Sequence, residues 1–212
     1  MLVKVCGLNS VDNIANLPLE LIDWLGFIFY EKSPRNVSIE PDQAFFKLTS
    51  NHKRVGVFVN TPLTSVFAKV QRYKLDIVQL HGQEPVAHCA YLKHNGVSVI
   101  KVISVNEDTD FQLFEKYEPV VDYFLLDTKS VLRGGTGEKF NWEILGKYTL
   151  NTPFILSGGI GPADAQVINQ INLEKCAGID INSRFEIEPG IKDPAQIKTF
   201  LESLKDTKYV EN

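Results

Sequence analysis

Two residues far apart in this chain are placed to move protons. Cys6 follows the apolar run Leu2-Val3-Lys4-Val5, and Asp127 follows Tyr123-Phe124-Leu125-Leu126. A thiol and a carboxyl make a base and an acid if the fold brings them to one ligand. Lys4 stands two positions before Cys6, so in an extended strand the two share a face. An ammonium beside a thiol favours the thiolate, the form that takes a proton. The apolar residues ahead of Asp127 are expected to desolvate its carboxyl, which favours the protonated form that gives one. Each residue also has a plainer reading. A single cysteine is usually an inert core residue, and Asp127 can simply cap a turn at Thr128 and Lys129.

Other polar residues recur at corresponding places. His81 ends the run 76–80, where it can serve chemistry or structure equally. Ser33-Pro34-Arg35 offers a guanidinium whose fork fits a carboxylate, although a loop arginine is commonly a solvated charge. Beyond Asp127, Gly134, Gly135 and Gly137 fall within four positions of one another, as backbone freedom or close approach to a ligand requires. Ser157-Gly158-Gly159-Ile160 and Ile181-Asn182-Ser183 present backbone amides at two later strand ends, and Asp180 adds a second carboxylate. Two adjacent glycines are often only a turn. Their coincidence with a second small-residue loop points instead to a phosphate site.

The elements that must position these residues are legible from hydrophobic patterning. Strands are predicted at roughly 2–6, 24–29, 54–59, 76–80, 97–103, 122–126, 153–156 and 177–181, rich in Val, Ile, Leu and Phe as buried parallel strands are. Helical patterns lie between them. Thr61 and Pro62 precede Leu63, Val66, Phe67 and Val70 on one face, while Asp193 caps and Pro194 opens a last helix carrying Ile197, Phe200, Leu201 and Leu204. Eight strand–helix units with no linker predict an α/β fold, a single (β/α)8 barrel of parallel strands over residues 1–212. The competing open doubly wound sheet lacks its glycine fingerprint, since Cys6-Gly7-Leu8-Asn9-Ser10 follows the first strand. In a barrel, ligands sit at the carboxyl ends of the strands, where all the residues above fall.

Composition narrows the partners. With 22 basic and 26 acidic residues the net charge is −4, which argues against nucleic acid or an anionic membrane while leaving room for a local anion site. Cys6, Cys89 and Cys176 are odd in number and lack metal-ligand spacing, so reduced thiols, no metal and a cytoplasmic location are expected. Leu2-Val3-Lys4-Val5 starts without a basic, then apolar, leader, and no stretch reaches the roughly 18 apolar residues of a membrane span. The expected partner is a small phosphorylated molecule. Monomer and homodimer both remain open.

The ordered set Lys4-Val5-Cys6-Gly7, Gly26-Phe27 with Ser33-Pro34-Arg35, Val55-Gly56-Val57-Phe58-Val59-Asn60, Gln79-Leu80-His81-Gly82, Leu126-Asp127, Gly134-Gly135-Thr136-Gly137, Phe140-Asn141-Trp142, Ser157-Gly158-Gly159 and Gly178-Ile179-Asp180 through Gly190-Ile191-Lys192-Asp193 resembles phosphoribosylanthranilate isomerase of tryptophan biosynthesis along essentially the whole chain. The resemblance implies a cofactor-free Amadori rearrangement of N-(5-phosphoribosyl)anthranilate, with Cys6 as base and Asp127 as acid. It also implies that Arg35 holds the anthranilate carboxylate, that His81, Gly135 and Asp180 contact the substrate, and that Gly158, Gly159, Asn182, Ser183 and Arg184 take the phosphate. The chain departs from the family at Arg184, where glycine is usual, which questions any positive φ there. Asn141 also replaces the more common aspartate. Another phosphosugar isomerase or epimerase would share the phosphate loops without needing Arg35, and a non-catalytic binder of phosphorylated metabolites would need neither Cys6 nor Asp127.

Overall fold

The computed structural model describes residues 1–128, 141–171 and 174–206. Eight strands, β1 (Leu2–Val5), β2 (Trp24–Ile28), β3 (Lys53–Phe58), β4 (Ile77–Leu80), β5 (Ser98–Val105), β6 (Tyr123–Thr128), β7 (Phe154–Leu156) and β8 (Cys176–Ile181), pair in chain order. Every pairing is parallel, and β8 returns to β1 with Asp180 opposite Lys4, so the sheet closes into a (β/α)8 barrel.

Side-chain alternation explains why the strands read as continuous apolar runs. One set of positions, Trp24, Val55, Ile77, Ile100, Val102, Leu125 and Ile155, forms a cluster of its own that fills the barrel. The intervening positions, such as Val3, Val5, Phe27, Val78, Leu80, Phe124 and Leu126, belong to a larger cluster beneath the outer elements. Both faces are therefore buried, and neither tolerates a polar alternation.

The outer elements are less regular than the pattern suggests. The helices are α1 (Val11–Ala15), α2 (Gln43–Leu48), α3 (Leu63–Tyr73), α4 (Val86–His94), α5 (Ala165–Gln170) and α6 (Pro194–Asp206). On α6 the expected device is present: Asp193 Oδ1 accepts the amides of Ala195 and Gln196, both at 3.0 Å, and Ile197, Phe200, Leu201 and Leu204 are buried. After β5 and β6, however, 3-10 turns over Phe111–Val120 and Trp142–Lys147 stand where α-helices were expected. Pro119 within the first of these removes a backbone donor, which an α-helix cannot spare. Among the described residues no helix is long and apolar enough to cross a membrane.

One element is absent from the sequence reading. Between β8 and α6 an antiparallel hairpin forms from β9 (Glu186–Glu188) and β10 (Ile191–Lys192). Its turn depends on Gly190, whose φ is +89° and whose added Cβ would lie 2.1 Å from Asn9 Nδ2. The hairpin therefore packs directly on the loop that follows Cys6 and Gly7.

Candidate active site

The barrel interior changes character towards the carboxyl ends of its strands. On β4, Ile77 belongs to the apolar filling, while Gln79 and His81 follow on the same face; Asp127 lies two positions beyond Leu125, and Ser157 two beyond Ile155. Strand periodicity alone thus raises a polar layer above an apolar one.

Lys4 and Asp180 form the buried part of that layer. Lys4 Nζ donates to Asp180 Oδ1 at 2.9 Å, with side chains 1% and 6% exposed, and Ser157 Oγ reaches Asp180 Oδ2 at 3.5 Å. Burial works against the Lys4 charge, but Asp180 and Cys6 outweigh it and hold the ammonium pKa above its ordinary value. Cys6 sits beside them just past β1, its amide donating to Ile181 O at 3.0 Å. Gly26 on the adjacent strand makes room, since a Cβ there would stand 2.9 Å from Cys6 Sγ.

The thiol environment corrects one expectation. Burial raises the Cys6 pKa more than Lys4 lowers it, Asp180 adds to the rise, and Lys192 gives a further downward pull. Lys4 is shared between a carboxylate and the thiol, so its charge does not compensate the cost of a buried thiolate. The resting group near neutral pH is the thiol.

Asp127 is partly reachable: its side chain is 28% exposed and that of its neighbour His81 is 33% exposed. Its two oxygens divide the two readings of the sequence. Oδ1 accepts the Thr128 amide at 2.9 Å, the turn cap, while Oδ2 stands 3.2 Å from His81 Nε2. Gln79 Nε2 lies 3.3 Å from His81 Nδ1. If the amide donates there, Nε2 carries the imidazole proton and donates it to Asp127, a tautomer inferred from the network. Asp180 is within electrostatic reach of both Asp127 and His81. The polar layer therefore runs from Cys6 through Lys4 and Asp180 to Asp127 and His81.

The loops after β7 and β8 meet at the same rim. Gly158 and Gly159 have φ of +83° and +71°. A Cβ on Gly158 would fall 2.4 Å from Thr128 Oγ1 and 3.2 Å from Asp127 Oδ1, so this glycine is demanded by the approach of the β7 loop to the candidate acid. Arg184 is not among the residues with positive φ, which answers the doubt raised by the lost glycine. Its Cβ lies 3.6 Å from the position of a Cβ on Gly161, bringing the two loops together. Ser183 opens the 3-10 turn Ser183–Phe185, and Asn182 turns its Oδ1 towards Lys192 Nζ at 2.6 Å. Gly135 lies outside the described residues.

Arg35 is buried, at 9% exposure, rather than a solvated charge. Glu186 accepts from its Nε at 2.9 and 3.0 Å and from its Nη2 at 2.7 Å. Lys192, fully buried, donates to Glu186 Oε1 at 2.6 Å. Burial opposes the Glu186 charge, yet Arg35 and Lys192 hold its pKa below the usual carboxylate value. For Lys192 burial prevails, drawing its pKa below that of an ordinary lysine against the pull of Glu186. Gly7 lets this group come close, since its Cβ would meet Asn182 Oδ1 at 2.7 Å and Arg35 Cδ at 2.9 Å. The sequence reading gave Glu186, Lys192 and Gln79 no role. The available signal was two adjoining charged motifs, Ser183-Arg184-Phe185-Glu186 and Gly190-Ile191-Lys192-Asp193.

Among the described residues no group of three or more His, Cys, Asp or Glu side chains is arranged to hold a metal ion. The arrangement as a whole offers a thiol, a partly exposed carboxyl, a buried guanidinium and two small-residue loops along one rim of the barrel.

Comparison with known proteins gives a consistent result. The family model for N-(5'phosphoribosyl)anthranilate (PRA) isomerase matches residues 3–203. An N-(5'-phosphoribosyl)anthranilate isomerase from Parabacteroides distasonis is 44% identical over 206 residues, 96% of this chain and 93% of that protein. Monomers generated from the dimeric phosphoribosylanthranilate isomerase of Thermotoga maritima superpose with a TM-score of 0.78 at 29% identity, over 97% of this chain and 100% of that one. A phosphoribosyl anthranilate isomerase in complex with reduced 1-(o-carboxyphenylamino)-1-deoxyribulose 5-phosphate gives the same TM-score at 28% identity, over 97% of this chain and 100% of that one.

Proposed function

This chain belongs to the phosphoribosylanthranilate isomerase family, enzymes of tryptophan biosynthesis, and from that premise we propose that Cys6 is the base and Asp127 the acid of its reaction. The substrate is N-(5-phosphoribosyl)anthranilate and the product 1-(2-carboxyphenylamino)-1-deoxyribulose 5-phosphate. Asp127 protonates the furanose ring oxygen as the bond from that oxygen to C1 breaks, and the anthranilate nitrogen lone pair forms the C1–N double bond. Cys6, as thiolate, then takes the proton from C2, and the electron pair moves to give an enolamine. Return of a proton to C1 and loss of the enol hydroxyl proton leave the C2 ketone, so the composition is unchanged.

The observation that carries this reading is the polar layer itself. Cys6 and Asp127 stand at its two ends, with the Lys4–Asp180 pair between them, so a sugar laid across the opening meets a thiol on one side and a carboxyl on the other. The carboxyl end is the more open one, with the Asp127 side chain 28% exposed against 3% for Cys6. Lys4 offsets part of the charge that Cys6 acquires, and His81 holds Asp127 in orientation. Isomerase activity of the purified protein, together with rescue of a tryptophan auxotroph lacking this step, is the test. Absence of both rules the reading out.

The same reading assigns the phosphate to the backbone of Gly158, Gly159, Asn182 and Ser183 with Arg184 beside them, and lets Gly135 approach the substrate. In a liganded crystal structure the phosphate is expected against Gly159 and Ser183. Density for it at the amino-terminal rim of the barrel would refute this assignment. The proposed steps call on no cofactor, the cytoplasm suits the pathway, and a monomer or a homodimer could carry them.

Arg35 is proposed to receive the anthranilate carboxylate. Arg35→Ala is expected to raise KM, with a loss of about 2 kcal/mol or more because a buried carboxylate loses its partner. Lysine should restore only part, since it lacks the planar fork. Steady-state kinetics unchanged by the alanine variant would mean that the carboxylate is held elsewhere.

A further inference from the structure

Arg35 does not stand alone in its pocket. Glu186 occupies Nε and Nη2 of the guanidinium, and among the described residues Nη1 donates to nothing. On the far side of Glu186, Lys192 reaches the same carboxylate and Asn182 Oδ1, each at 2.6 Å. Both of these partners are acceptors, which suits an ammonium. The group is packed tightly enough that Gly7, next to the candidate base, cannot carry a side chain beside it.

The charges in this cluster do not cancel. Arg35 and Lys192 supply two positive charges and Glu186 one negative charge, with Asn182 neutral. An Arg35–Glu186 pair by itself would be neutral and would have little reason to draw a second carboxylate. Adding Lys192 leaves one positive charge in excess, in a buried setting where water screens it weakly.

We propose that Lys192 is a specificity-determining residue of this site, acting through Glu186 and Arg35 so that the buried cluster carries the one unbalanced positive charge that a ligand carboxylate cancels. The inference rests on the reading of Arg35 as the carboxylate holder and extends it. Glu186 fixes the orientation of the guanidinium by taking one edge, and Lys192 prevents Glu186 from using up the charge of Arg35. Hairpin β9–β10 thereby becomes part of substrate selection, since it carries both Glu186 and Lys192.

The test compares two ligands on the full chain. One is reduced 1-(o-carboxyphenylamino)-1-deoxyribulose 5-phosphate, and the other is its phenyl counterpart without the carboxyl group. Lys192→Met keeps an unbranched apolar stem but removes the charge. It is expected to weaken binding of the carboxylate ligand about tenfold or more and to leave the phenyl ligand within about twofold. An equal loss for both ligands, or no loss for either, overturns the proposal, because a structural role does not distinguish them. Should Lys192→Met not fold, Glu186→Gln probes the same excess from the other side. That variant must keep or increase the preference for the carboxylate ligand, and a fall in the preference overturns the proposal. Arg35→Ala measured alongside separates the two ideas. If it abolishes the preference while Lys192→Met does not, only the role of Lys192 is lost; if it leaves the preference intact, the carboxylate reading of Arg35 is lost first.

Discussion

Cys6→Ser is expected to reduce turnover by ~10²–10⁴-fold, the usual scale for a positioned acid or base, in a protein that remains folded. Serine is slightly smaller than cysteine, so it fits the space that Gly26 leaves for the thiol. What is lost is ionisation. A thiol has a reference pKa of about 8.5, whereas an alcohol scarcely ionises near neutrality, even beside an ammonium. Exchange of the substrate C2 hydrogen with deuterated solvent should stop as well. Because burial holds the thiol pKa above its ordinary value, the thiolate fraction of the free enzyme is small at pH 7 and increases with pH. The sign follows for a synthetic open-chain substrate, which needs no proton from Asp127: its kcat/KM should keep rising with pH through the alkaline range, and the serine variant should lose that dependence. Near-normal turnover in a folded Cys6→Ser protein would make Cys6 a core residue and turn attention to His81 or Asp180 as the base.

Asp127→Asn should cost a similar ~10²–10⁴-fold, at a different step. The amide keeps the size of the carboxyl and its oxygen can still accept the Thr128 amide, so the turn is retained. It cannot transfer a proton to the ring oxygen. Ring opening should therefore become limiting. C2 exchange also fails in this variant, since deprotonation follows ring opening, yet a synthetic open-chain substrate should bypass the defect. The same substrate should not help Cys6→Ser. If the open-chain compound leaves Asp127→Asn as slow as before, ring protonation is not its task.

These contrasts depend on residues that differ greatly in how visible they were. The eight strands were readable to within two residues at each end, because both faces of each strand are buried and the apolar runs are long. The 3-10 turns over Phe111–Val120 and Trp142–Lys147 were not, since an amphipathic pattern does not record whether each carbonyl meets the third or the fourth amide beyond it. Hairpin β9–β10 was hidden for another reason. Glu186-Ile187-Glu188 presents Ile187 to solvent and has no apolar face, so only its partner strand and the contact of Gly190 with Asn9 define it.

For the site, the sequence by itself determined which chemical groups end the strands, because parallel strands of a barrel all finish at one rim and alternation assigns each residue a face. Cys6, His81, Asp127 and Asp180 follow from counting, and so does the placing of Lys4 beside Cys6. How those groups share their charges was decided only by the closed structure. Lys4 does favour the thiolate, as its place beside Cys6 implies, but closure of β8 onto β1 also sets Asp180 opposite it at 2.9 Å, so the ammonium is shared and burial of the thiol prevails. The apolar run before Asp127 says nothing of His81, which barrel closure sets 3.2 Å from its Oδ2. Arg35 and Glu186 are 151 positions apart, and their contact exists because the hairpin after β8 folds over the loops after β1 and β2. Residue type is local information, whereas the electrostatic state of a buried group depends on every charge within a few ångströms, and those neighbours are chosen by the closure of the chain on itself.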